Sequence, residues 1–125
     1  MGLNFIDHRT IFMTQIWHNP RCSKSRQTLQ LLNDNGITPD VVEYLKTPPT
    51  EAELKQVLSL LKLAPRELMR TKEAEYKALN LSEANDDALI AAMLATPKLI
   101  ERPIVVHNGK AAIGRPPEQV LEIFK

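Results

Sequence analysis

Residues 14–36 read TQIWHNPRCSKSRQTLQLLNDNG, and their order decides the fold. Thr14 to His18 is short and β-prone, and the Asn19-Pro20 pair after it is a turn signal. This predicts a buried first strand ending near His18. From about Ser23 to Asn35 the chain reads as a helix. Ser25, Leu29 and Leu32 share one face, Gly36 ends it, and Pro39 lies just beyond. Val41 to Leu45 reads as a second strand. A strand, helix and strand joined this way form a parallel, right-handed unit. Cys22, the one cysteine in the sequence, falls between a strand end and a helix start.

The middle of the chain is helical. Thr50 and Glu53 form a capping box ahead of Leu54, Val57, Leu58 and Leu61, which recur at helical spacing. Pro65 can open a short helix through Met69, and Glu73 to Asn80 can add another turn or two. Asn85 caps a helix with Asp86 and Asp87 in its first turn, where carboxylates suit the helix dipole. Its apolar face is Leu89, Ile90, Met93 and Leu94, and it stops before Pro97.

Ile104 to His107, Asn108-Gly109 and Lys110 to Ile113 carry a strong two-residue hairpin signal. Pro116 then opens a last helix bearing Val120, Leu121 and Phe124. The order is βαβ, a block of helices, then ββα. That is an α/β, thioredoxin-like fold with a helical insertion, at about 46–98, between its two halves. Pro103, just ahead of the third strand, stands where a cis proline facing the reactive cysteine belongs.

The chain has 125 residues, which suits one domain with its own core. Residues 1–12 read as a flexible N-terminal extension, because Met13-Thr14-Gln15 resembles a second start; residues 13–125 read as the domain. Asp7, His8 and Arg9 sit where a signal peptide needs an apolar run, and no stretch approaches the roughly 20 apolar residues of a membrane span. The formal net charge of +1 gives no global field to recruit nucleic acid or a membrane, so any anion site is built locally. One cysteine excludes an internal disulfide and a cysteine-rich metal site, and suits a reducing, cytoplasmic setting. The expectation is a protein with no metal and no bound cofactor.

The surroundings of Cys22 point to a nucleophile. At a helix start the N–H groups of Ser23, Lys24 and Ser25 point toward the sulfur and toward any anion beside it. The helix dipole favours the thiolate, and Arg21, Lys24 and Arg26 add positive charge. His18 stabilises the thiolate if protonated, and Ser23 and Ser25 offer hydroxyls to the sulfur or the anion. Ser25 stands where a paired-cysteine redox motif has its second thiol, so an internal dithiol cycle is excluded. A phosphatase-type loop needs an arginine where this chain has Thr28. The oxyanion is therefore held partly by residues distant in sequence. Guanidinium groups bind tetrahedral oxyanions in bidentate fashion and stay charged. Arg102 beside Pro103, and Arg115 between Gly114 and Pro116-Pro117, have rigid neighbours. Arg70 is a third candidate, with Arg66 equal to it by local criteria.

His18-Asn19-Pro20-Arg21-Cys22-Ser23-Lys24-Ser25-Arg26 resembles the active-site segment of the glutaredoxin-linked arsenate reductase family. Glu67 to Arg70, Glu101 to Val106 and Ile113 to Glu118 resemble the segments that carry its substrate arginines. The likeness runs from about Met13 to Lys125 and is nearest to a short bacterial branch. It implies Cys22 as the catalytic cysteine, His18 as its supporting histidine, and Arg70, Arg102 and Arg115 as the oxyanion arginines. It selects Arg70 over Arg66. It also implies an arsenate or similar oxyanion as substrate, glutathione as reducing co-substrate and glutaredoxin as protein partner. Two other functions share the layout: a glutaredoxin-like thiol transferase, and a transcription-regulatory binding protein. Regulators of that kind carry a paired-cysteine switch, which Ser25 removes here.

Overall fold

Asn108 and Gly109 take positive φ values of 51° and 79°. They turn the chain between β3 (Ile104–His107) and β4 (Lys110–Ile113) in the hairpin that the sequence predicts. The computed structural model describes residues 14–125, so the expected extension at residues 1–12 lies outside the described residues. β3 pairs antiparallel with β1 (Thr14–Trp17), and β1 pairs parallel with β2 (Asp40–Val42). The sheet order is β2-β1-β3-β4, the thioredoxin-like arrangement.

The second strand is shorter than the sequence suggests, ending at Val42 rather than Leu45. Its parallel partner runs out: Trp17 pairs with Val42, and His18 N–H makes the last bond to the Val42 carbonyl at 2.8 Å before Asn19-Pro20 turns away. Between β1 and β2 lies α1 (Ser23–Asp34), closed by Gly36 at φ 76°. A 3-10 helix (Pro117–Phe124) follows β4, where the sequence suggests an ordinary helix opened by Pro116.

The described chain divides into two compact units. One runs to Glu43 and resumes over Arg102–Lys125; the other is Tyr44–Glu101. In the first, Ile16, Leu32, Val105, Val120 and Ile123 form the core, with Leu29, Ile37, Ala112 and Phe124 against it. It joins β1 and β3 to α1 and the final helix, so it fixes where α1 begins. Truncating a fully buried leucine such as Leu32 to alanine costs roughly 2–5 kcal/mol in sites of this kind.

The second unit is helical. Thr50 Oγ1 accepts the Glu53 N–H at 3.1 Å and Glu53 Oε1 accepts the Thr50 N–H at 2.8 Å, completing the capping box of α2 (Glu51–Leu61). A 3-10 turn (Pro65–Leu68) and the short α3 (Ala74–Ala78) lead to α4 (Asp86–Ala95), whose N-cap Asn85 accepts the Ala88 N–H at 2.9 Å. α4 packs on α2 and on the Pro65–Leu68 turn, burying Leu54, Leu58, Leu68, Leu89 and Met93. A bridge between Met69 and Ile100 ties the segment after the Pro65–Leu68 turn to the last residues of this unit.

Candidate active site

The turn before Cys22 is held by its own polar groups. Asn19 Oδ1 accepts the Arg21 N–H at 3.0 Å, and the Asn19 carbonyl accepts the Cys22 N–H at 2.9 Å. This is the local bonding that makes Asn-Pro a turn signal. The Arg26 guanidinium reaches back to the Pro20 carbonyl at 2.9 Å. Cys22 is the extended N-cap residue of α1, and its carbonyl accepts the Arg26 N–H at 3.0 Å. The sulfur therefore stands over the open end of the helix.

Two arginines from the far end of the sequence meet it there. Arg115 Nη2 lies 3.8 Å from Cys22 Sγ, and Arg115 Nε donates to the Arg102 carbonyl at 2.9 Å. Burial of Cys22 pushes its thiol up. The Ser25 N–H, the Arg102 guanidinium (by hydrogen bond and by charge) and the Lys24 N–H outweigh that and bring it below the ordinary thiol value. Arg21 and Lys24, which the sequence counts as support for the thiolate, have exposed side chains.

Arg102 and Arg115 are positioned by the end of the hairpin. The Arg102–Pro103 and Arg115–Pro116 peptide bonds are both cis. Gly114 N–H donates to the Pro103 carbonyl at 2.9 Å. Gly114 is required for space: a Cβ there would lie 2.5 Å from Thr28 Oγ1 and 2.8 Å from Pro103 Cγ. Thr28, buried on α1, donates its hydroxyl to the Lys24 carbonyl at 2.8 Å. The close approach of Gly114 thus presses the arginine-bearing hairpin onto the helix that carries Cys22. No local sequence pattern signals this Gly114–Thr28 contact.

The side chains of His18 and Ser25 meet each other. The Ser25 side chain is fully buried. Its Oγ is 2.6 Å from His18 Nδ1 and accepts the Asn19 N–H at 3.1 Å, so its hydroxyl is engaged away from the mouth; its backbone N–H is what favours the thiolate. His18 is buried as well. Desolvation holds its imidazole below the usual histidine value, the Arg26 charge adds to this, and Glu43 opposes it only in part. The same environment that disfavours the charged imidazole places its Nδ1 against Ser25 Oγ.

Arg70 lies in the second unit. Its Nε pairs with Glu73 at 2.9 Å and its Nη1 with Glu101 at 3.1 Å. Arg66, equal to it by local sequence criteria, is spent on structure. Its guanidinium bonds the Tyr76 hydroxyl, the Leu81 carbonyl at 3.0 Å and the Ala84 carbonyl at 2.9 Å. Glu73 and Glu101, the partners of Arg70, carry no sequence signal of that role. Among the described residues no cluster of His, Cys, Asp and Glu is placed to hold a metal ion, and no helix is long and apolar enough to cross a membrane.

The profile of the ArsC family matches residues 17–123. The chain is 61% identical over 112 residues to the uncharacterised Escherichia coli (strain K12) protein YfgD, covering 87% of this chain and 94% of that protein. It is 52% identical over 109 residues to an arsenate reductase of Neisseria meningitidis serogroup B, covering 85% and 93%. Among solved structures, an arsenate reductase from Vibrio cholerae superposes with a TM-score of 0.87 at 57% identity, covering 90% of this chain and 98% of that one.

Proposed function

The chain belongs to the ArsC family, and from that membership we propose that it reduces arsenate to arsenite, with Cys22 as nucleophile and glutathione and glutaredoxin as the source of electrons. The observation that carries this reading is the Cys22 sulfur, at the open end of α1, beside Arg115 and Arg102.

Arsenate is a tetrahedral oxyanion. Arg115 and Arg102 hold its oxygens, and the N–H groups at the start of α1 add to the field. The Cys22 thiolate attacks arsenic and displaces one oxygen, which leaves as water after taking a proton from solvent. The product is a Cys22–S–As(V) adduct. A glutathione thiolate then attacks the Cys22 sulfur. The S–As bond breaks with its electron pair going to arsenic, which becomes As(III) and departs as arsenite. Cys22 and glutathione are left as a mixed disulfide, the two sulfurs having lost the two electrons gained by arsenic. A glutaredoxin thiolate attacks the glutathione sulfur and frees the Cys22 thiolate.

With one cysteine in the sequence, the second thiol comes from outside the chain. Developing charge on the arsenic oxygens is stabilised by Arg102 and Arg115, which is where preorganised cations have most effect. The family resemblance adds Arg70 as a third guanidinium for the oxyanion. His18 and Ser25 contribute by holding the Cys22 turn.

The test is arsenate-dependent NADPH consumption coupled through glutathione reductase, with glutathione and glutaredoxin present. Turnover by the unchanged protein and its loss in Cys22→Ser are expected. Full activity in Cys22→Ser would sink the mechanism. No arsenate turnover, together with fast turnover of glutathione mixed disulfides, would replace it with thiol transfer.

A further inference from the structure

The cations around Cys22 divide into two groups. Arg26 is tied to the Pro20 carbonyl, and Arg102 and Arg115 face the sulfur. Arg21 and Lys24 do neither. Their side chains are exposed, and neither makes a salt bridge among the described residues. They stand on either side of Cys22 in the sequence.

Charge is also unevenly spread along the first unit. From Thr14 to Asn33 there is no Asp or Glu, and α1 has no acidic residue in its first turn, where one would suit the dipole. The first carboxylates, Asp34 and Asp40, come at the far end of α1 and the start of β2. Because β1 and β2 are parallel, those residues lie at the opposite end of the sheet from Cys22. The stretch that carries Cys22, from Thr14 to Asn33, is thus purely cationic, and the carboxylate at this end of the sheet is Glu43, which acts on His18.

We infer that Arg21 and Lys24 form the rim of a docking surface for the protein thiol that regenerates Cys22, and that this partner presents acidic groups around its own thiol. The inference rests on the reading that an external thiol reduces Cys22. A substrate oxyanion is small and is held by the arginines at the sulfur. Rim charges farther out act on a larger partner, speeding its encounter and setting its orientation. The step served is thiol–disulfide exchange: the partner thiolate attacks the glutathione sulfur of the Cys22–S–S–glutathione bond, the Cys22 thiolate leaves, and the partner carries the glutathione.

The test starts from the full chain with Cys22 converted to its glutathione mixed disulfide by oxidised glutathione, so arsenate is not involved. The rate of glutathione release is measured with a glutaredoxin of net negative charge and with dithiothreitol, whose attacking thiolate carries a single charge and no protein surface. Arg21→Glu is expected to lower the glutaredoxin rate about tenfold, within the range that rim charges change on-rates, and to change the dithiothreitol rate far less. Raising salt is expected to slow glutaredoxin more than dithiothreitol. Equal slowing of both reductants by Arg21→Glu, or a glutaredoxin rate indifferent to both charge and salt, overturns the docking surface. Failure of the arsenate assay alone leaves this result standing.

Discussion

Replacing Gly114 with alanine tests how the hairpin is pressed onto α1. The added Cβ would lie 2.5 Å from Thr28 Oγ1, 2.8 Å from Pro103 Cγ and 3.1 Å from Thr28 Cγ2. None of these atoms is the end of a flexible side chain. Thr28 is β-branched and buried, and its hydroxyl is held by the Lys24 carbonyl at 2.8 Å. Pro103 is a buried ring. The backbone of β4 must therefore move, and overpacking of this kind costs about 1–3 kcal/mol. With two rigid neighbours the cost falls toward the upper end, lowering Tm by roughly 10 °C at about 4 °C per kcal/mol. Urea and thermal unfolding of Gly114→Ala, Thr28→Ala and the double variant measure it. Removing Thr28 Oγ1 and Cγ2 makes room, so the double variant is less destabilised than the sum of the singles by about 1 kcal/mol. The same shift moves Arg115, so Gly114→Ala also slows alkylation of Cys22 at neutral pH. A cost within about 0.5 kcal/mol, or strict additivity, would refute the close-packing argument.

Arg102→Met removes both a hydrogen bond to the thiolate and a positive charge, so the midpoint of the pH profile for Cys22 alkylation moves upward; an unchanged midpoint contradicts this. His18 has a folded-state value lowered from 6.5, so unfolding takes up a proton below that pH. Stability is then undiminished above pH 6.5 and declines as pH falls through the lower folded-state value, and urea titrations of His18→Gln give a shallower pH dependence than the unchanged protein. His107, also lowered by burial and by Lys110, adds to the same slope. Thr50→Ala breaks the capping box of α2 and costs about 1 kcal/mol in urea unfolding without moving the Cys22 alkylation profile.

The hairpin was legible because Asn108-Gly109 suits a two-residue turn of positive φ, a local requirement. The capping box at Thr50 and the cap at Asn85 were legible for the same reason: their partners lie three residues away. β2 was overextended because Tyr44 and Leu45 have strand-like side chains, while the strand's length is set by where β1 turns off. At the site, the position of Cys22 and its helix-opening N–H groups followed from the order of strand, turn and helix. The charge state of His18 and the engagement of the Ser25 hydroxyl did not, because both depend on burial and on a contact between residues on either side of the turn. Arg66 and Arg70 could not be separated by local sequence. Only their folded partners, carbonyl oxygens for one and two carboxylates for the other, tell them apart.

The central claim is that the Cys22 thiolate passes electrons from glutathione to a bound arsenate. Mass spectrometry of the intact protein, mixed with arsenate and glutathione but no glutaredoxin, tests it most directly. A glutathione mixed disulfide at Cys22 is expected to accumulate only when arsenate is present, with arsenite released in equal amount. A mixed disulfide that forms equally without arsenate, or arsenite released with Cys22 left as a free thiol, would contradict it.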